Sequence, residues 1–124
     1  MKELFVDCPT GLSGDMLLAG LLDLGLNHEI ISNPLAKLGL ANAYSLKANE
    51  RRTFGLRGLN VTIEDKECSG QERRWIDIRK LVANSPIKDS LKSKILSVFE
   101  ILAESESLVH GIDINEVHFH EVGA

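Results

Sequence analysis

Apolar residues recur along this chain with several different periods, and each change of period marks an element. Leu4-Phe5-Val6 is an unbroken apolar run of the kind made by a short buried strand. The turn-rich Asp7-Cys8-Pro9-Thr10-Gly11-Leu12-Ser13-Gly14 separates it from Asp15-Met16-Leu17-Leu18-Ala19-Gly20-Leu21-Leu22-Asp23-Leu24, which predicts a buried helix. Ser13 stands where an N-cap belongs, Asp15 in the first turn complements the helix dipole, and Gly25 is a natural left-handed stop. Asn27 is positioned to cap a second helix with Ile30, Ile31, Leu35 and Leu38 on its inner face. Pro34 removes an amide donor there and predicts a break or kink.

The period then changes to two. Tyr44/Leu46/Ala48 and Leu59/Val61/Ile63 each fall on one face of an alternating segment, Tyr44 to Glu50 and Leu59 to Glu64. A β-hairpin with a longish loop around Gly55 and Gly58 follows. Asp65 to Gln71 reads as a polar loop. Helical spacing returns with Trp75, Ile78, Leu81 and Val82 and ends at Ser85-Pro86. The longest periodic stretch runs from about Lys88 to His110, with Leu91, Ile95, Val98, Phe99, Leu102 and Val109 on one stripe and Gly111 as its stop. At 1.5 Å per residue this helix is roughly 35 Å long. The pattern predicts one α+β domain over residues 1–124, a small mixed or antiparallel sheet with helices packed on it and one long C-terminal helix.

Composition narrows the function classes. With 44% hydrophobic and 26% charged residues, the chain has the make-up of a globular protein, and 124 residues suffice to bury roughly two-thirds of the unfolded surface. A formal net charge of −4 and a single Trp and Tyr argue against a nucleic-acid surface or attraction to an anionic membrane. No window approaches the ~18 apolar residues that span a bilayer, and no apolar leader opens the chain, so the expectation is a cytoplasmic protein. Cys8 and Cys68 lack a C-x-x-C partner and are read as free thiols, Cys8 as a small buried hydrophobe.

Three places carry candidate chemistry. In an extended Val117 to His120, His118 and His120 share one face while Val117 and Phe119 share the other, so two imidazoles converge with Glu121 beside them. Imidazole nitrogen suits Ni, Zn, Cu and Fe, and three groups alone do not name the metal. The competing reading has one histidine lining a polar pocket and the other in solvent. The second place is the Asp7 to Asp15 loop, where Gly11 and Gly14 allow close approach to a helix N-terminus that favours phosphate or carboxylate. No Gly-Lys-Ser/Thr makes it a P-loop, and a cation bridging Asp7 and Asp15 would resolve their repulsion of phosphate, against a purely local role as turn former and first-turn acid. The third is Arg73-Arg74, a solvated patch or a contact for a phosphorylated substrate. His110 at a helix C-terminus reads as structural, and His28 as solvated.

Asp7-x-x-x-Gly11-x-Ser13-Gly14-Asp15-Met16, with Val109-His110-Gly111 and Glu116-Val117-His118-Phe119-His120-Glu121-Val122-Gly123-Ala124, resembles the N-terminal part of the lactate racemase nickel-insertion family, over essentially the whole chain. The resemblance implies nickel insertion into pyridinium-3,5-bisthiocarboxylic acid mononucleotide, a CTP-hydrolysing cyclometallation of the lyase class that needs Mg²⁺ or Mn²⁺. Under it, His118, His120 and Glu121 hold nickel or position it for delivery. Asp7, Ser13 and Asp15 are the catalytic candidates and coordinate a divalent metal or the precursor's phosphate. Gly11, Gly14, Arg73 and Arg74 are the cofactor-binding candidates. Two departures stand out. The histidine-rich run common in the family is missing from Cys68-Ser69-Gly70-Gln71-Glu72-Arg73-Arg74, and the family motif continues past Gly123-Ala124 into a large C-terminal portion. The expectation is a module that requires that missing C-terminal domain for catalysis, with homo-oligomer formation through exposed strand edges or apolar surface. The alternatives are a non-catalytic metal-binding or subunit-assembly module and, ranked last, a metal-dependent hydrolase.

Overall fold

The computed structural model describes residues 3–66 and 73–119. Cys68 and the loop around Gly70, as well as His120, Glu121 and the three residues after them, lie outside the described residues. The described chain runs α1 (Gly14–Asp23), α2 (Glu29–Lys37), β1 (Tyr44–Thr53), β2 (Leu56–Asp65), β3 (Arg73–Arg74), α3 (Trp75–Asn84), α4 (Asp89–His110), a 3-10 turn (Ile114–Glu116) and β4 (His118–Phe119). This is an α+β fold. Its strands form two separate antiparallel pairs, β1 with β2 and β3 with β4, instead of one sheet.

Helix ends follow the glycines. Gly25 and Gly39 take φ values of +92° and +79°, and Gly111 takes +64°. After α1 the Gly25 and Leu26 N–H groups return to the Leu22 and Leu21 carbonyls, a Schellman closure that Gly39 and Leu40 repeat after α2. The Asn27 side chain accepts the Glu29 N–H at 2.9 Å and so caps α2 as the sequence suggests. Helix α2 nevertheless runs through Pro34 without a break. The bond lost is the one to the Ile30 carbonyl in the first turn, so the cost falls at the helix start.

The hairpin has the predicted faces. Leu46 pairs with Ile63, Ala48 with Val61 and Glu50 with Leu59. Its loop is tighter than the glycine spacing suggests, because β1 and β2 extend to a two-residue turn of Phe54 and Gly55. Both residues have positive φ, +50° and +82°, as a type I′ turn demands, and Phe54 is fully exposed there. Helix α1 packs on β2, and Arg57 ties the two together: its guanidinium donates to Asp23 at 2.7 Å and to Glu50 at 3.0 Å. These two carboxylates, Asp23 foremost, raise the arginine's pKa above its ordinary value.

The second packing group joins α3, α4 and the 3-10 turn. Trp75, Ala103, Val117 and Phe119 are its buried centre, with Ile78, Leu96, Phe99 and Ile114 packed around them. The Phe99 and Phe119 rings meet at 5.8 Å with a tilt of 54°. Helix α4 ends at His110 and Gly111 as expected, and His110 approaches Glu106 one turn back at 3.1 Å. The buried face of α4 is not the whole apolar stripe. Ala103 is fully buried and Leu91, Ile95, Leu96 and Phe99 half-buried, while Val98, Leu102 and Val109 are exposed. A helix apolar on more than one side offers two candidate faces, and contact with α3 selects one.

Two further expectations are corrected. Leu4-Phe5-Val6 forms no strand: the three side chains are exposed, and among the described residues no strand lies alongside to pair with them. Cys8 is exposed in the turn that follows, not buried. Among the described residues no helix is long and apolar enough to cross a membrane.

Truncating the buried ring in Phe119→Ala should lower stability by about 3–5 kcal/mol in urea denaturation, through lost transfer energy and the cavity left against Phe99 and Trp75. Phe54→Asn should raise stability by about 1 kcal/mol, since Asn tolerates the left-handed conformation that costs a bulky residue about 1–2 kcal/mol. A thermal melt that falls instead would show that the Phe54 ring contributes contacts outweighing that strain.

Candidate functional site

The terminal motif is held from three directions. The 3-10 turn is closed by Asp113, whose carboxylate accepts the Asn115 N–H at 2.8 Å. Val117 follows with its side chain fully buried, and its carbonyl accepts the Trp75 N–H at 3.0 Å. His118 and Phe119 then pair with Arg74 and Arg73 in a two-residue ribbon. Alternation along this strand sends Val117 and Phe119 inward and leaves His118 half-buried on the opposite face, as the H-x-H spacing requires.

His118 therefore lies beside Arg74, its cross-strand neighbour. Its Nδ1 is closed off from solvent. Arg74 forks onto Asp77 one turn into α3, with Nε to Oδ2 at 2.9 Å and Nη2 to Oδ1 at 3.3 Å. That fork holds the Asp77 carboxyl below its ordinary pKa, with smaller contributions in the same direction from Lys80 and His118. Asp77 escaped the sequence reading. The available signal was Arg74-x-x-Asp77, an i,i+3 ion pair at a helix start. Arg74 is thus engaged with a carboxylate, while Arg73 is half-buried opposite Phe119. Among the described residues no three His, Cys, Asp or Glu side chains converge into a metal site. The other two predicted ligands, His120 and Glu121, fall outside the described residues.

The acidic loop occupies the other packing group. Cys8-Pro9-Thr10-Gly11 forms a turn closed by the Gly11 N–H on the Cys8 carbonyl at 3.0 Å, and Gly11 has φ of +97°, where a side chain would be strained. A Cβ at Gly11 or Gly14 would meet nothing within 4 Å, so the backbone there is open to a ligand. Ser13 occupies the N-cap position, but its hydroxyl does not accept a helix N–H. It donates instead to Asp15, whose carboxylate also accepts the Met16 N–H at 2.9 Å. These bonds, that from Ser13 foremost, lower the Asp15 pKa and keep it anionic. Asp7 borders an apolar cavity of about 230 Å³ formed by the N-terminal segment and α1, with Leu12, Met16 and Leu17 among its walls. The loop thus presents two carboxylates and open backbone at a helix N-terminus, an arrangement able to take a hydrated divalent cation.

Comparison with known proteins adds a second line. Residues 4–124 match the family model described as nickel insertion protein. The chain is 41% identical over 131 residues to the pyridinium-3,5-bisthiocarboxylic acid mononucleotide nickel insertion protein of Akkermansia muciniphila, an alignment covering 100% of this chain and 32% of that protein. It is 39% identical over 123 residues to the protein of the same name from Staphylococcus epidermidis, covering 99% of this chain and 31% of the relative. The Clostridium kluyveri protein of that name is 38% identical over 135 residues, covering 100% and 34% respectively. The chain spans about a third of the length of these curated relatives. No solved structure matches it.

Ser13→Ala should move the Asp15 pKa upward, toward the ordinary carboxylate value, in a carboxyl-detected NMR titration. The depressed carboxyl favours the fold above the unfolded-state pKa, and that contribution is lost as pH falls through the lower folded-state value. The variant's acid limb should therefore shift to higher pH. An unmoved Asp15 titration would remove the hydroxyl as the cause.

Proposed function

The chain belongs to the nickel insertion protein family, and on that premise we propose that it is the N-terminal module of a protein that installs nickel in pyridinium-3,5-bisthiocarboxylic acid mononucleotide. The match extending from residue 4 to residue 124, through the acidic loop and the terminal histidine motif together, carries this reading. Nickel is cargo in such a reaction. It must be held firmly enough to be collected and loosely enough to pass to thiocarboxylate sulfur, and imidazole with carboxylate meets both needs.

In this reading His118, His120 and Glu121 hold the incoming nickel. The local support is the position of His118: a half-buried imidazole on the β3–β4 ribbon, opposite Arg74, which is itself paired with Asp77. Asp7, Ser13 and Asp15, with Gly11 and Gly14, form the loop that takes Mg²⁺ or Mn²⁺, or the precursor's phosphate through it. The Ser13-Asp15 hydrogen bond and the open backbone at both glycines support that role. CTP is the energy source of the full-length, lyase-class cyclometallase, and the reaction takes place in the cytoplasm. Catalysis requires the portion of the family protein that this chain does not span.

A second reading, a subunit-assembly module without catalysis of its own, is favoured by apolar side chains left exposed on two faces: Phe5 at 89% beside α1, Leu108 at 84% and Val109 at 79% on α4. Such faces suit contact with the rest of a family protein or with a second copy.

Isothermal titration of Ni²⁺ into the 124-residue chain, beside a His118→Ala/His120→Ala double variant shown to be folded by circular dichroism, tests the assignment. Stoichiometric binding that disappears in the variant is expected. Equal binding by both proteins, or none by either, would overturn the terminal nickel site and favour the assembly reading.

A further inference from the structure

Phe54 stands where its own fold gives it nothing. Among the described residues it is the one non-glycine residue with positive φ, at the first central position of a type I′ turn, where Asn is the usual choice. Left-handed backbone crowds a bulky side chain. No contact within the chain offsets that strain, because the ring is 101% exposed. Strain of this kind gathers at sites of contact, and the offset then comes from what is bound.

The surroundings of the ring define what it fits. Leu56 on the far side of the turn is 77% exposed, so the tip is apolar across both of its large side chains. Arg51 and Arg52 stand behind it. Among the described residues Arg51 forms no ion pair, and Arg52 approaches Glu50 only at 3.5 Å. Arg57 ties the base of the turn to Asp23 of α1. The tip is therefore an apolar knob with a cationic collar, and it calls for an apolar socket with an acidic rim.

This chain carries such a socket. The cavity of about 230 Å³ beside α1 is walled by Phe5, Leu12, Met16, Leu17 and Leu24, with Asp7 at its edge. Apolar cavities of about 150 Å³ already admit a benzene ring. The adjoining loop from Asp7 to Asp15 holds two carboxylates and no basic residue. The exposed Phe54 leaves the socket of its own chain unfilled. We infer that the hairpin tip of one copy of this chain enters the α1 cavity of a second copy, with Phe54 in the cavity and Arg51 and Arg52 against Asp7 at the rim. Knob and socket lie on one chain, so a reciprocal exchange closes a twofold dimer. Strand pairing through Leu4-Phe5-Val6 is the poorer contact between copies, because an antiparallel pair centred on Phe5 sets Glu3 opposite the other copy's Asp7. The inference gives the assembly reading a partner and a contact, and it holds whether or not nickel binds the terminal motif.

Sedimentation equilibrium of the metal-free 124-residue chain is the test, with each variant shown to be folded by circular dichroism. A concentration-dependent dimer is expected. Phe54→Asn, which suits the turn, should weaken association at least tenfold, as should Met16→Lys in the cavity wall. Arg51→Ala/Arg52→Ala should weaken it less and reduce its salt dependence. In a mixture, ¹⁵N-labelled Phe54→Asn keeps the socket and the unlabelled Met16→Lys chain keeps the knob. Amide shifts at Leu12, Leu17 and Leu24 of the labelled chain are expected. A chain that stays monomeric at every concentration overturns the inference and assembly through a second copy alike. A dimer unchanged by Phe54→Asn places the contact elsewhere, so it overturns the inference and leaves the assembly reading standing. Absence of shifts in the mixture overturns the pairing of tip with cavity.

Discussion

The burial of Val117 and Phe119 against Trp75, Phe99 and Ala103 is the interaction on which the terminal half of this protein depends. A ribbon of two residues per strand cannot hold itself together in water. It persists because large apolar side chains on one side of β4, and Trp75 just after β3, are withdrawn from solvent, each worth about 1.5–3 kcal/mol. The Trp75 N–H bond to the Val117 carbonyl sets the register. With register and inward side chains settled, the intervening His118 can only emerge on the other face. The hydrophobic core thus positions the imidazole, and the polar groups around it refine its setting.

Those polar groups act through orientation more than through stability. The Arg74-Asp77 fork and the Arg57 bridge to Asp23 and Glu50 are exposed ion pairs, a class worth about 0–1 kcal/mol. Arg57 lashes the end of α1 to the hairpin, and Arg74 turns a carboxylate toward the strand that carries His118. The acidic loop works similarly at short range. The Ser13 hydroxyl, by donating to Asp15 instead of capping α1, leaves helix N–H groups available and keeps the carboxylate charged.

Much of the local architecture was legible because its causes are local. The glycine stops after α1 and α4, the Asn27 cap, the faces of the hairpin and the extent of α3 and α4 depend on residues within a few positions of one another. The misreadings share a different cause. Leu4-Phe5-Val6 has strand composition, but a strand exists only where another supplies hydrogen bonds. Val98, Leu102 and Val109 belong to an apolar stripe, yet the seam with α3 runs along Ala103, Phe99 and Leu96. Cys8, apolar in habit, is exposed because the segment before it packs under no second layer.

The site divides in the same way. Sequence alone determined that His118 opposes Val117 and Phe119, because the side-chain period of an extended chain is two, and that the Asp7 to Asp15 loop opens a helix, because glycine, serine and aspartate punctuate it. Only the tertiary structure decided that Arg73 and Arg74 pair with that terminal strand, and that the ends of α2 and α3 line one open groove with Lys37 and Lys80 at its edges. Those neighbours are separated by up to 46 positions along the chain, from Arg73 to Phe119, and nothing in a local pattern records a distance closed by burial.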